Sequence, residues 1–351
     1  ASDVYKRQAP LSAALRKAIS KVSDEELENG RTPEVAALRS LQELAAVTRQ
    51  KLDQNRAEWA THSSVFDAIA QLPEGQTLLN RFDEILAQYG YLSEVGTDIA
   101  VPTWQEDPQP VRALFSQFCV NPPPQTQPVK SQNRKTRNVQ QRIDLKGQVT
   151  EAYSRLLAEL RSCFVSLEKI WLTAGVLQQE GDIFFLTYDE IQQALNVSDP
   201  ASLNFGARIE QQRERFERDR QLTLIPQLVY GDDPPTPTLQ TWQASERLQG
   251  IGASPGQIEG YIKIMKSLSM SASDLSRDTI LVVPYTDSGW APLLARVGGL
   301  IAEVGGRLSH GAIVAREYRI PAVMDIHNAT NLLRDGQYVR IDGQNGTIEI
   351  L

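Results

Sequence analysis

No helix and no central sheet strand can run through Gly231-Asp232-Asp233-Pro234-Pro235-Thr236-Pro237-Thr238. Proline fixes φ and lacks the amide donor that either element needs. The stretch therefore splits the 351-residue chain, and the two sides carry different patterns. A chain of this length suggests two or three domains.

Before the split the period is helical. Val35, Leu38, Leu41, Leu44 and Ala45 recur at three- and four-residue spacing, continuing to Val47 and Leu52. Residues 64–70 and 77–89 give two shorter amphipathic pieces around the turn Leu72-Pro73-Glu74-Gly75, and 111–118 reads as a short helix. The loop from Tyr89 to Pro108 is either functional or pinned into the core by Trp104. A Pro-rich linker at about 120–136 contains Asn121-Pro122-Pro123-Pro124. The basic residues around it, Lys130 to Arg142, form either a solvated face or a site for an anionic group. From about Val139 to Ala174 one long helix is expected. Its stripe of Val149, Ala152, Tyr153, Leu156, Leu157, Leu160, Phe164, Leu167, Ile170 and Trp171 predicts core packing. Asp182 to Ile191 reads as a short extended piece, with Thr187 and Glu190 in capping-box spacing. Residues 206–221 read as an exposed, ion-paired helix.

The helical region is set at 9–230, with 231–248 as a linker able to let the two sides move. Residues 1–8 lack an initiator methionine and read as a non-native scar. His62 has no partner cluster and reads as a helix-boundary residue.

Beyond the split come strand-type runs at 260–265, 279–284, 300–304, 321–326, 338–341 and 347–351, with short helices near 290–296, 310–318 and 329–333. Asn345-Gly346 predicts a hairpin between the last two strands. Residues 249–351 thus form an α/β domain. The expected fold is multidomain, with a mainly α-helical N-terminal region followed by this α/β domain.

A formal net charge of -7 argues against a generic nucleic-acid binder. No apolar run approaches the ~18 residues that span a bilayer. The two cysteines, Cys119 and Cys163, lack metal-ligand spacing, so neither a metal site nor a disulfide framework is expected, and a cytoplasmic setting is.

The chemistry concentrates in Gly305-Gly306-Arg307-Leu308-Ser309-His310-Gly311-Ala312-Ile313-Val314-Ala315-Arg316-Glu317. It reads as a strand end, a glycine turn and a helix opening at a histidine. Ser309 is the expected N-cap. The first-turn amides and the positive end of the helix dipole favour phosphate. Imidazole is a competent nucleophile near neutral pH. Alone, a histidine at a helix start is more often a capping or packing residue.

The full string, with Gly250-Ile251-Gly252-Ala253-Ser254-Pro255-Gly256, Thr286 to Leu293 and Val339 to Gly343, closely resembles the swivelling phosphohistidine domain of phosphoenolpyruvate-utilising enzymes. The resemblance spans 249–351. It implies that His310 accepts a phosphoryl group and carries it onward, with Gly305, Gly306, Ser309 and Gly311 shaping the phosphate loop. Arg316 would support the phosphate or pair with Glu303 or Asp325, the pairing being favoured. The resemblance further implies a dikinase-type, ATP-dependent phosphotransferase. ATP and Mg2+ would be used by an ATP-grasp domain in cis or in trans, and neither would be bound directly by this chain. Leu308 replaces the regulatory threonine of the synthase and dikinase members.

Domain order is closest to the rifampicin-phosphotransferase-like members. That implies a small-molecule acceptor bound by the helical region. The chain lacks a Gly-x-x-x-x-Gly-Lys loop and is expected to be a C-terminal fragment, inactive alone. The alternatives are a stand-alone phosphocarrier loaded in trans, a phosphoenolpyruvate-synthase-like fragment acting on pyruvate, or an inactive homologue.

Overall fold

A computed structural model describes residues 32–52, 65–93, 95–120, 122, 134–220, 247–266, 275–287, 290–307 and 309–351. Residues 1–8, His62, Leu308, most of the Pro-rich linker and nearly all of the 231–248 linker lie outside these. The described residues fall into two compact units. One holds those of 1–97, 101–155 and 244–351, and the other those of 98–100 and 156–243. The division runs inside a single helix.

The first unit begins with α1 (Pro33–Leu52), α2 (Val65–Ala70), α3 (Gly75–Tyr89) and α4 (Gln109–Val120), followed by α5 (Arg134–Thr173) as far as residue 155. The apolar spacing buries Val35, Leu38, Leu41, Leu44 and Ala45 on one face of α1. Between α3 and α4, Trp104 is buried and its amide donates to the Leu92 carbonyl at 2.7 Å. Of the two readings of that loop, the pinned one describes it.

The α/β part carries strands β1 (Arg247–Gln249), β2 (Ile251–Ser254), β3 (Gln257–Ile264), β4 (Thr279–Val283), β5 (Gly299–Ala302), β6 (Ala322–Met324), β7 (Tyr338–Asp342) and β8 (Thr347–Ile350). They form one sheet in the order β1-β8-β7-β3-β4-β5-β6-β2. Strands β3 to β6 run parallel, while β7, β8, β1 and β2 add antiparallel edges. Every residue of β4, β5 and β6 is buried, as expected of parallel strands covered on both faces. The strand period sends Ile280 and Val282 into one core with Ile301, Val323 and Ile341. Leu281 and Val283 enter the other, shared with α8 (Ala291–Leu294), α9 (His310–Tyr318) and helices α1 to α4. Phe118 of α4 meets Tyr318 of α9 edge-on, with ring centroids 5.9 Å apart. A last short helix, α10 (Ala329–Leu332), precedes the β7–β8 hairpin. The hairpin turns at Asn345-Gly346, where the Asp342 carboxylate accepts from the amides of Gln344 and Asn345.

The second unit has its own core of Trp171, Leu177, Ile183, Ile191, Phe205 and Ile209. It is built from the rest of α5, a 3-10 turn at Asp182–Phe185, α6 (Tyr188–Asn196) and α7 (Gly206–Arg220). The extended piece expected at 182–191 is therefore a correction. Asp182 is buried, its carboxylate accepts from the amides of Gln178 and Gln179, and Gly181 adopts φ 88°. Together these curl the chain before it can extend. Thr187 and Glu190 do form the capping box.

The stripe of α5 is in part a second correction. Trp171 is buried in the second unit's core with Phe164 and Leu167 packed against it, but Val149, Tyr153, Leu156, Leu160 and Ile170 are exposed. Periodicity identifies an apolar face of a helix, but it does not say what lies against that face.

Candidate functional site at the N-terminus of helix α9

The carboxyl ends of β4 and β5 lie side by side, and their outgoing loops meet. In open α/β sheets such strand ends are where ligands gather. After β5 the chain turns through Gly305, whose φ of 144° is strained for any residue with a side chain. A Cβ there would also stand 3.0 Å from the Ser309 hydroxyl and 3.3 Å from the Met324 sulfur. Gly306 is unobstructed, but its carbonyl accepts the Ser309 hydroxyl proton at 2.8 Å. Ser309 thus occupies the N-cap position, yet its side chain closes the preceding turn instead of capping an amide. This corrects the expected cap.

His310 is the first residue of α9. The Gly311 amide donates to the Thr286 hydroxyl, on the loop after β4, at 3.0 Å. A Cβ on Gly311 would collide with the Thr286 side chain. Glycine is required here by close approach, and one first-turn amide already has a protein acceptor. Arg316 donates to the carbonyls of Ala253 (2.6 Å) and Arg307 (2.8 Å), tying the glycine turn to β2. The Glu303 carboxylate meanwhile accepts from the amide and hydroxyl of Thr330.

The His310 ring is half-buried, and its Nε2 is enclosed without a hydrogen-bond partner among the described residues. Burial draws its pKa below the usual histidine value, and the Glu34 carboxylate pulls it partly back. Near neutral pH the imidazole is therefore uncharged, with a lone pair available for attack.

Glu34 comes from the first turn of α1. Its charge also acts on Lys146 of α5 and on Tyr91. Lys146 is exposed overall, yet partial desolvation lowers its pKa, with Glu34 raising it. Burial and the Glu151 carboxylate push the Tyr91 phenol up to about 12, while Arg155 stacks on its ring at 4.0 Å. The charge of Glu34 thus reaches groups from distant stretches of the chain, His310 among them. Glu34, Lys146 and Thr286 carry no motif signal of their own; only Thr286 lies inside a string that the resemblance singled out. Among the described residues no cluster of three or more metal-ligating side chains occurs, and no helix is long and apolar enough to cross a membrane.

Two family matches cover most of the first unit. Residues 275–346 match the PEP-utilising enzyme mobile domain, and residues 12–169 match the rifampicin phosphotransferase fourth domain. The rifampicin phosphotransferase of Streptomyces sviceus is 29% identical over 318 residues, 81% of this chain and 36% of that protein. The rifampicin phosphotransferase of Bacillus cereus is 35% identical over 180 residues, 50% of this chain and 20% of its own. The prodigiosin synthesizing transferase PigC of Serratia marcescens is 30% identical over 189 residues, covering 51% and 20% of the two chains. The chain spans about a third of the length of the Streptomyces sviceus relative.

Proposed function

With one segment similar to a PEP-utilising mobile domain and another to a rifampicin phosphotransferase fourth domain, we propose that the chain is the carrier and acceptor part of a phosphotransferase. His310 takes a phosphoryl group and delivers it to a small molecule bearing a hydroxyl group. The donor is an ATP-grasp domain, in cis or in trans, which uses ATP and Mg2+. The observation that carries this reading is the uncharged His310 imidazole, with an unpartnered ring nitrogen, at a glycine-turned helix start.

The acceptor is assigned to α5. Lys146 there feels the Glu34 charge, as His310 does, and the exposed apolar side chains of Leu145, Val149 and Tyr153 lie on the same helix. An apolar body with one hydroxyl fits such a surface. The names of the relatives support the reading, since two are rifampicin phosphotransferases.

The test is labelling with ATP that carries label on both its β- and γ-phosphates, with an ATP-grasp domain supplied in trans. Label should appear on the chain, vanish in His310→Ala, be lost in acid and survive base. No label on the wild-type chain, or equal label on the His310→Ala variant, would overturn the proposal.

A further inference from the structure

The loop after β4 meets the start of α9 through a hydrogen bond from the Gly311 amide to the Thr286 hydroxyl oxygen, at 3.0 Å. A Cβ on Gly311 would stand 2.3 Å from that oxygen and 2.7 Å from Cβ and Cγ2 of Thr286, so the side chain lies directly on the helix start. The Gly311 nitrogen is bonded to the His310 carbonyl carbon. Covalent geometry therefore holds the hydroxyl oxygen within about 6 Å of the His310 Cα. A phosphoryl group carried on the ring is tethered to that same Cα, and its oxygens sweep the same range.

The polar side chains at the turn differ in what they have left to donate. A hydroxyl has one proton to give and two lone pairs to receive with. Ser309 gives its proton to the Gly306 carbonyl at 2.8 Å. Arg316 gives two guanidinium nitrogens to the carbonyls of Ala253 and Arg307. Thr286 uses a lone pair alone, and its proton meets no acceptor among the described residues. The side chain is half-buried, beside a histidine whose Nε2 is itself enclosed without a partner. The amide that donates into its oxygen sits at the positive end of the α9 dipole, which makes the hydroxyl the stronger donor.

We propose that Thr286 binds the phosphoryl group on His310, its hydroxyl relaying the Gly311 amide to a phosphoryl oxygen. This rests on His310 being the phosphocarrier. The Gly311 amide points at Thr286 and does not serve the phosphate directly. Through the hydroxyl it still contributes, in a chain from N–H to O–H to phosphoryl oxygen. The last oxygen is anionic, and a hydrogen bond to a charged acceptor is about twice as strong as a neutral one. Loading His310 thus fastens the β4 loop to the start of α9, and after transfer the hydroxyl donates to water again. Glycine at position 311 is what admits the hydroxyl so close to the carrier.

The test compares the whole chain with and without phosphate. In a His62→Gln/His327→Gln background His310 is the one histidine left. The chain is phosphorylated with phosphoramidate and kept at alkaline pH, where phosphohistidine persists. Urea unfolding of both forms is followed at the indole proton of Trp290, buried in the first unit. Thr286→Val should lower the folded-to-unfolded ratio of both forms, because both lose the acceptor of the Gly311 amide. In the phosphorylated form the loss should be larger by about tenfold or more, the effect of a hydrogen bond to a charged group. Thr286→Ser should show no such excess. An equal loss in the two forms makes Thr286 a structural pin and overturns its phosphoryl-binding role, with the carrier reading left standing. An excess that Thr286→Ser shares also overturns the role, since the hydroxyl is then not its source. Failure of His310 to take the phosphoryl group overturns the carrier reading, and the Thr286 role with it.

Discussion

Arg39 of α1 and Glu317 of α9 meet at 2.8 Å although they are 278 positions apart in the chain. The Glu317 side chain is 1% exposed and that of Arg39 is 42% exposed. The carboxylate therefore bears most of the desolvation, and removing Arg39 leaves that buried charge less compensated. Arg39→Ala should cost about 1–3 kcal/mol, the upper end being discounted because Arg39 itself is part-solvated. Glu317→Gln should cost less, since the charge left behind is that of the part-solvated Arg39 and not a buried one. Denaturant unfolding of the two variants measures the difference, and equal costs would contradict it.

Gly311→Ala drives a methyl group into Thr286. Overpacking of this kind costs about 1–3 kcal/mol, and here it also displaces the helix start that holds His310. Thermal unfolding should show the loss, and phosphoryl labelling of His310 should fall with it. Thr286→Val keeps the shape but deprives the Gly311 amide of its acceptor. It should cost about 1–2 kcal/mol. A tolerated Gly311→Ala would mean that the two loops are not held as described.

Acid should destabilise the first unit through His310. Its folded pKa lies below the unfolded value, which for histidine is about 6.5. Between the two values the unfolded chain binds more protons, so stability rises with pH. The stabilisation is complete above about 6.5 and is lost as pH falls toward the folded pKa. In His310→Asn the dependence on pH in this window should flatten, as read from unfolding midpoints at a series of pH values.

Thiol labelling should discriminate the two cysteines. Cys119 is buried, and burial pushes its thiol up to about 12, with Arg49 opposing. Cys163 is exposed. One equivalent of an alkylating reagent should react in the native chain, at Cys163, and two after unfolding. Peptide mapping identifies the site.

The pattern of the α/β part was readable because its strands are continuous apolar runs bounded by turn residues, as in Ile280 to Val283. β1 and β2 were not expected as strands. Each is short and lies at an edge or ahead of a glycine, where pairing and not propensity makes the strand. His310 and its glycines stood out because close approach imposes local demands on sequence, as Gly311 against Thr286 illustrates. Glu34 and Lys146 did not. The Glu34 charge acts on both His310 and Lys146 from a distant stretch of the chain, and no local spacing encodes that. The stripe of α5 misled for the same reason. Val149 and Leu156 keep perfect helical spacing with nothing in that spacing to report their exposure.

The shared core of α1, α4 and α9 has a consequence for synthesis of the chain. Leu41, Leu44 and Phe118 emerge from the ribosome long before Val314 and Tyr318, against which that core closes. Contacts of such sequence separation form late. Until the last hundred or so residues are made, the early helices hold an open apolar seam, the kind of surface that chaperones engage. A gene truncated before β5 should accordingly yield protein that aggregates, even though every one of its first helices is intact.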